Sequence, residues 1–489
     1  MSKTYSRRKL LQIAAAGATI PLVSGCLGTN DATGRTSFTG MHSIEDDIKL
    51  GRENAPKLTQ QFGGVYDDKR LQDYVQELGL KVAKFSEYQQ FEYNYILLNS
   101  PVVNAFALPG GYCFCTRGLL ALASSEAELI GVLAHETGHV NARHGAERQS
   151  QGMLAQLGVV AAGVVFGQAG SSLASMGAHS FLQSYSRDQE LEADSLGLRY
   201  MSKAGYDPTA MVSFLKTLRK QSQVEAKMAG LPEDSVDEFN IMATHPRTID
   251  RVEAAIKLVE NDSPKNPVLN QKKYYNKING MVYGDDPAQG IVHGNNFTHP
   301  DLRISFDVPK GFRIINQPDQ VIAQGPDQSG IVFDMARIPV NVSMQDYIRD
   351  HWVSSGTVNG LEEIEINSQN AATAKIRTKK GADARLVAIR GDDTQVFRIA
   401  YISKPSNTKS LVNKFKISTY SFRRLSIDEA QNIKPHRLII VPLDHSDTLD
   451  SLSKHLPFGK FNEDVFRMLN NMEPGDALPS NGMIKVITS

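Results

Sequence analysis

Residues 125–140 read SEAELIGVLAHETGHV and constrain this chain more than any other stretch, because they set His135, Glu136 and His139 in the spacing H-E-x-x-H. On a helix, positions i and i+4 lie about 40° apart, so both imidazoles project from one face and can share one metal ion. Glu136 is turned by about 100° from His135, within reach of a water at the metal without ligating the metal itself. The helix is predicted without the motif. Ser125 and Glu128 form a capping box, and Leu129, Ile130, Val132, Leu133 and Val140 make an apolar stripe.

A zinc site needs a third protein ligand and keeps its fourth position for water. A third histidine in the pattern H-E-x-x-H-x-x-G-x-x-H is excluded, since Ala142 replaces the glycine and Gly145 the histidine. Residues 186–194, SRDQELEAD, offer Glu190, Glu192 and Asp194 instead. Glu190 and Asp194 share one helix face, and small Ala193 and Gly197 permit close helix approach, whereas Glu192 points away. The expected set is therefore His135, His139 and Glu190 on the zinc, with Asp194 orienting a histidine through its free ring N–H.

These motifs, followed by Thr244-His245-Pro246 and Arg251, resemble the gluzincin peptidases that include CAAX prenyl proteases, HtpX-type heat-shock proteases and their soluble periplasmic relatives. Residues 104–111, NAFALPGG, with TRGL at 116–119, are similar to that family's active-site edge strand, which makes Asn104, Ala105 and Phe106 substrate-binding by resemblance. The resemblance covers roughly residues 41–260 and implies a zincin-type fold and zinc peptidase chemistry. It also implies that His245 either stabilises the oxyanion or gates the fourth zinc position, with Arg251 supporting it.

The chain has 489 residues, 41% hydrophobic and 22% charged, enough for two or three domains with their own cores. Lys plus Arg and Asp plus Glu both number 53, so no net charge recruits nucleic acid, and three cysteines exclude a disulfide scaffold. Residues 6–11, SRRKLL, read as a twin-arginine export signal, and the apolar stretch 13–23 is too short to span a bilayer. LVSGC at 22–26 resembles a bacterial lipobox, in which Cys26 is lipidated; Leu27 after it favours the outer membrane. The expected location is thus the periplasmic side of the bacterial envelope, on a lipid anchor.

Expected domains are an export signal with lipobox (1–26), a Gly- and Thr-rich tether (27–40), a mainly helical zinc metallopeptidase with a small edge sheet (41–260), a Pro-containing linker (261–290), an α+β module of strand-like runs (291–430) and a tail (431–489). The class is α+β. The tail resembles a LysM module in its Asp447-Thr448-Leu449, Pro474-Gly475-Asp476 and 482–486 segments, which suggests peptidoglycan as a partner. Cys113 and Cys115, at i and i+2 of a strand, read as buried thiols. The apolar run 157–166 is a helical hairpin or core, and His144 and His179 receive no role.

The expected mechanism places Glu136 as the base that deprotonates zinc-activated water and reprotonates the leaving amine. The expected function is an endopeptidase that cleaves misfolded or misassembled envelope proteins; the alternative is a chaperone-like or peptidoglycan-binding protein with a restrained site. One outcome tests the anchor. Cys26→Ser should abolish incorporation of a labelled fatty acid, and equal labelling of both forms would remove the lipobox.

Overall fold

The computed structural model describes residues 27–38, 42–150, 184–232, 245, 257, 264–353, 356–392, 394–478 and 482–488. The export signal with Cys26, the run 157–166, His179 and Arg251 lie outside the described residues. The class is α+β.

The segment that carries the H-E-x-x-H motif is built around a helix buried on every side. Among the described residues, its helices in order are α1 (Ile44–Gln61), α2 (Lys69–Ala83), α3 (Arg117–Leu122), α4 (Glu126–Asn141), α5 (Arg187–Lys203) and α6 (Thr209–Met228). Ser125 caps α4 by accepting the Glu128 N–H at 3.1 Å. The expected reciprocal bond does not form: the Glu128 carboxylate accepts from the Ser124 N–H at 2.7 Å and from the Ser213 hydroxyl of α6 at 2.8 Å. All 16 residues of α4 are buried, so the one-sided stripe read from the sequence is only part of a helix packed all round.

A three-stranded sheet covers α4. Strand β3 (Asn94–Leu98) runs parallel to β5 (Tyr112–Thr116), and β4 (Ala105–Leu108) pairs antiparallel with the other side of β5. Among the described residues β4 is therefore an edge strand. It starts only at Ala105, because the Thr116 hydroxyl donates to the Val102 carbonyl and accepts from the Asn104 N–H, holding the approach to the strand as a loop. Cys113 and Cys115 on β5 are buried and free, and burial raises both thiols above the usual range.

Three segments differ from expectation. Residues 27–38 are a docked β-hairpin rather than a tether, with β1 (Leu27–Thr29) paired to β2 (Thr36–Phe38). The polar residues that suggested flexibility make its turn: the Asn30 carboxamide accepts from the Ala32 and Thr33 N–H groups. Within the expected linker, α7 (Gln271–Ile278) buries Tyr274, Tyr275 and Ile278 in the same core as α4. Asn270 and Lys273 reach the buried Glu126 carboxylate at 3.0 and 2.9 Å, and Tyr74 and Tyr206 donate to it as well.

The tail also joins that core through Leu438, Phe466, Leu469, Ile484 and Ile487. It has strand–helix–helix–strand order, with His436–Pro442 pairing both Met483–Thr488 and Val282–Tyr283. Lys485 is fully buried, and its ammonium donates to the Ala121, Leu122 and Ala123 carbonyls at 2.9, 2.9 and 3.0 Å. These acceptors are the orphan carbonyls at the end of α3. Burial pulls Lys485 down to about 7, against the attraction of Glu128.

The 291–430 module forms its own cores. Its seven-stranded antiparallel sheet runs Arg313–Asn316, Val321–Gln324, Gly330–Arg337, Gln395–Ser403, Asp383–Arg390, Gln369–Arg377, Asn359–Ile366. Helix Thr408–Ser421 packs Leu411 and Phe415 with Phe397, Ile399 and Tyr401 in one core. In a second core, Ala372, Ala374 and Ala388 are small enough to admit Met344, Tyr347 and Ile348.

The Lys485 contact generates a prediction. Lys485→Met keeps most of the side-chain bulk but removes the donors to three buried carbonyls, so stability should fall by about 2–4 kcal/mol. Urea denaturation measures it; an unchanged midpoint would mean that the tail docks without this bond.

Candidate metal centre

Two glycines let α4 and α5 touch backbone to backbone. A Cβ on Gly138 would sit 2.7 Å from the Ala193 carbonyl oxygen, and one on Gly197 would sit 2.9 Å from the His135 backbone nitrogen. That approach carries Glu190 up to the two histidines. Ser186 starts α5 with a reciprocal cap to Gln189, which fixes Glu190 in the first turn, facing α4.

The structure brings together His135, His139, Glu190 and His245, whose potential ligand atoms all lie within 4.8 Å of one another. His135 Nε2 is 3.0 Å from His139 Nε2 and 3.3 Å from His245 Nδ1. Glu190 is 3.3 Å from His139 Nε2, 3.7 Å from His135 Nε2 and 2.9 Å from His245 Nδ1. A tetrahedral zinc with bonds of about 2.0–2.1 Å has donor–donor edges of roughly 3.3–3.4 Å, which these separations bracket.

The ring partners assign the tautomers. Asp194 approaches His135 Nδ1 at 2.8 Å, so that nitrogen carries the proton and Nε2 presents a lone pair inward. His139 Nδ1 faces His144 Nδ1 at 2.8 Å, and His144 Nε2 lies 2.9 Å from the Glu192 carboxylate. One assignment satisfies all three rings: His144 donates from Nε2 to Glu192 and accepts at Nδ1 from His139. Two lone pairs then face each other at 3.0 Å beside a carboxylate, an arrangement that favours a cation among them. Burial holds both His139 and His144 below the usual imidazole range, which keeps them neutral, as this arrangement requires. For Glu190, burial opposes ionisation, but His245 and His139 outweigh it and hold the carboxyl well below its usual range.

Glu136 is 1% exposed, with His245 Nε2 at 3.7 Å from its carboxylate. Tyr185 stacks on His139 with ring centroids 3.8 Å apart, and the Arg148 guanidinium lies 3.8 Å over Tyr185. Asn104 is buried at the start of β4. Ala105 and Ala107 face the α4 core, whereas Phe106 turns to the opposite side and packs on Phe62 and Phe114 at 4.9 and 4.7 Å. Phe106 is thus a core side chain, and all four residues of β4 are buried.

Sequence reasoning missed His144, Tyr185 and the place of Glu192. A helical wheel puts His144 off the motif face, but α4 ends at Asn141 and Arg143 adopts φ +57°. This left-handed turn swings His144 back to His139; the Arg143 guanidinium offsets its strain by bonding Asp47 and the His42 carbonyl, each at 2.7 Å. Arg143 is neither Gly nor Asn, so no local signal announced the turn.

A helix-borne H-E-x-x-H pair, joined by a glutamate from a second helix, defines a gluzincin-type metallopeptidase centre. Residues 69–259 match the model of Peptidase family M48. The chain is 28% identical over 262 residues to the beta-barrel assembly-enhancing protease of Yersinia pestis, covering 51% of this chain and 52% of the relative. It is 27% identical over 221 residues to the protein of that name from Escherichia coli (strain K12), covering 43% of each. It is also 32% identical over 233 residues to the mitochondrial metalloendopeptidase OMA1 of Arabidopsis thaliana, covering 45% of this chain and 43% of the relative. The chain spans about half the length of the curated relatives it matches.

The helix crossing can be tested directly. Gly138→Val must push α5 away, so it should cost about 1–3 kcal/mol of stability and weaken zinc uptake. Zinc uptake equal to wild type would show that the close approach does not set the site.

Proposed function

We propose that this chain is a zinc-dependent endopeptidase of the bacterial cell envelope that cleaves misfolded or misassembled proteins. The convergence of His135, His139 and Glu190 beside the buried Glu136 carries this reading. His135 and His139 hold the zinc through Nε2 and Glu190 through its carboxylate, while Asp194 and His144 fix the two rings. Zinc there supplies a Lewis acid that makes water a nucleophile near neutral pH. Glu136 takes the proton of the attacking water and hands it to the leaving amine.

The substrate adds to β4 as a further strand, its backbone pairing along 104–106. That the outer side of β4 bonds to no other strand among the described residues supports this mode. Catalysis sits on rigid elements, α4 and α5, whereas His245 reaches the donors from outside both helices.

His245 acts as a gate, with Arg251 as its support. Its Nδ1 lies among the donors, 2.9 Å from Glu190, where it completes a fourth position. The same observation supports a second reading, in which the site is held restrained and the chain serves mainly as a chaperone-like or peptidoglycan-binding protein. The strand–helix–helix–strand tail is the element that would contact peptidoglycan, and a twin-arginine signal with lipidated Cys26 would deliver the chain to the envelope.

Casein hydrolysis by the purified chain separates the two readings. Glu136→Gln should lower the rate by roughly 10²–10⁴-fold while retaining about one zinc per chain, since the expected ligands are intact. His245→Ala should retain zinc and raise the rate. Undiminished hydrolysis by Glu136→Gln would overturn the mechanism, and a fall in His245→Ala would replace the gate by oxyanion stabilisation.

A further inference from the structure

The family match begins at residue 69, yet a side chain far upstream of it reaches the site. Arg35 closes the turn of the N-terminal hairpin just before β2, its carbonyl accepting from the Asn30 N–H at 2.9 Å. Its guanidinium forks onto Glu147 with bonds of 3.1 and 2.9 Å and approaches the Glu192 carboxylate at 3.3 and 3.4 Å. Gln189 of α5 donates to the same Glu147 at 3.2 Å. The same turn is held on its other side: buried Asn30 donates to the Asn141 carbonyl, in the last turn of α4, at 2.8 Å.

We infer that this hairpin is the outer wall of the metal site, and that Arg35 is a positioning residue for His139 acting through Glu192 and His144. The inference rests on the reading of His139 as a zinc ligand. The order of contacts is Arg35 to Glu192, Glu192 to His144 Nε2, and His144 Nδ1 to His139 Nδ1. Each link fixes the next. A carboxylate held by Arg35 keeps the His144 proton on Nε2, which leaves the Nδ1 lone pair to accept from His139. His139 then has one ring orientation and one tautomer, with Nε2 directed at the donors.

His135 reaches the same condition in one step through Asp194, on α5 itself. His139 needs three, and the last comes from outside the matched segment. Glu192 cannot be replaced in this role by Glu190, whose carboxylate faces the donor cluster. Glu147 shares the Arg35 fork, so losing the guanidinium leaves two neighbouring carboxylates to repel each other across the entrance to His144.

Chelator competition at fixed pH on the full chain reads the effect. Arg35→Ala and Glu192→Gln should each bind zinc about 10–100-fold more weakly than wild type, the usual cost of losing an outer partner of a ligand histidine. Because the two act in series, the double variant should be no weaker than the weaker single variant. Arg35→Lys keeps the charge without the fork and should fall between wild type and Arg35→Ala. The visible bands of the cobalt-substituted protein should shift in Arg35→Ala, a signature that a merely structural role would not move. Wild-type protein that binds no zinc would overturn the ligand assignment. Wild-type protein that binds one zinc, with both single variants within twofold of it and unshifted cobalt bands, would overturn the hairpin's role alone. Glu192→Gln is nearly isosteric, so it keeps the test decisive if Arg35→Ala does not fold.

Discussion

Where α4 crosses α5, no side chain separates the two backbones: Gly138 faces the Ala193 carbonyl and Gly197 faces the His135 nitrogen. The proposed metal site depends on that contact. Helices kept apart by ordinary side chains lie 8–10 Å apart; with glycine at both contact points, short side chains can converge. Glu190 therefore meets His135 and His139 without stretching, and Asp194, one turn further along, meets the back of His135. The crossing makes the inner and outer partners of the site in one step.

Burial then raises the stakes. His135, Glu136, His139, Glu190 and His245 are all at most 5% exposed, so little water remains to screen or satisfy them. Such a group of polar atoms persists only if each has a partner, and the partners come from widely separated stretches of chain. Asp194 is on α5, His144 lies just past α4, Tyr185 precedes α5, and Arg35 sits in the N-terminal hairpin. The core beneath is assembled the same way, with α7 and the tail closing over α3 and α4.

The sequence revealed what depends on local spacing. H-E-x-x-H and E-x-x-x-D each place two side chains on one helix face, and the structure brings all four together as that spacing requires. Cys113 and Cys115 also lie as expected, buried at i and i+2 of a strand. What escaped depends on where elements stop and which surfaces meet. The helical wheel misplaced His144 because the wheel continues past Asn141 and the helix does not. Residues 27–38 read as a tether because turn formers and flexible residues are the same amino acids; Asn30 and Gly34 build a turn here, with Gly34 at φ +68°. Residues 271–278 carried a legible apolar face in Tyr274, Tyr275 and Ile278, masked by the prolines upstream.

Zinc K-edge absorption of the purified full chain tests the central claim most directly. The account predicts about one zinc per chain, surrounded only by nitrogen and oxygen at roughly 2.0–2.2 Å, with the outer-shell scattering of imidazole. A sulfur shell near 2.3 Å would contradict it. That result would move the metal to the strand that carries Cys113 and Cys115 and leave the crossing of α4 and α5 without its chemistry.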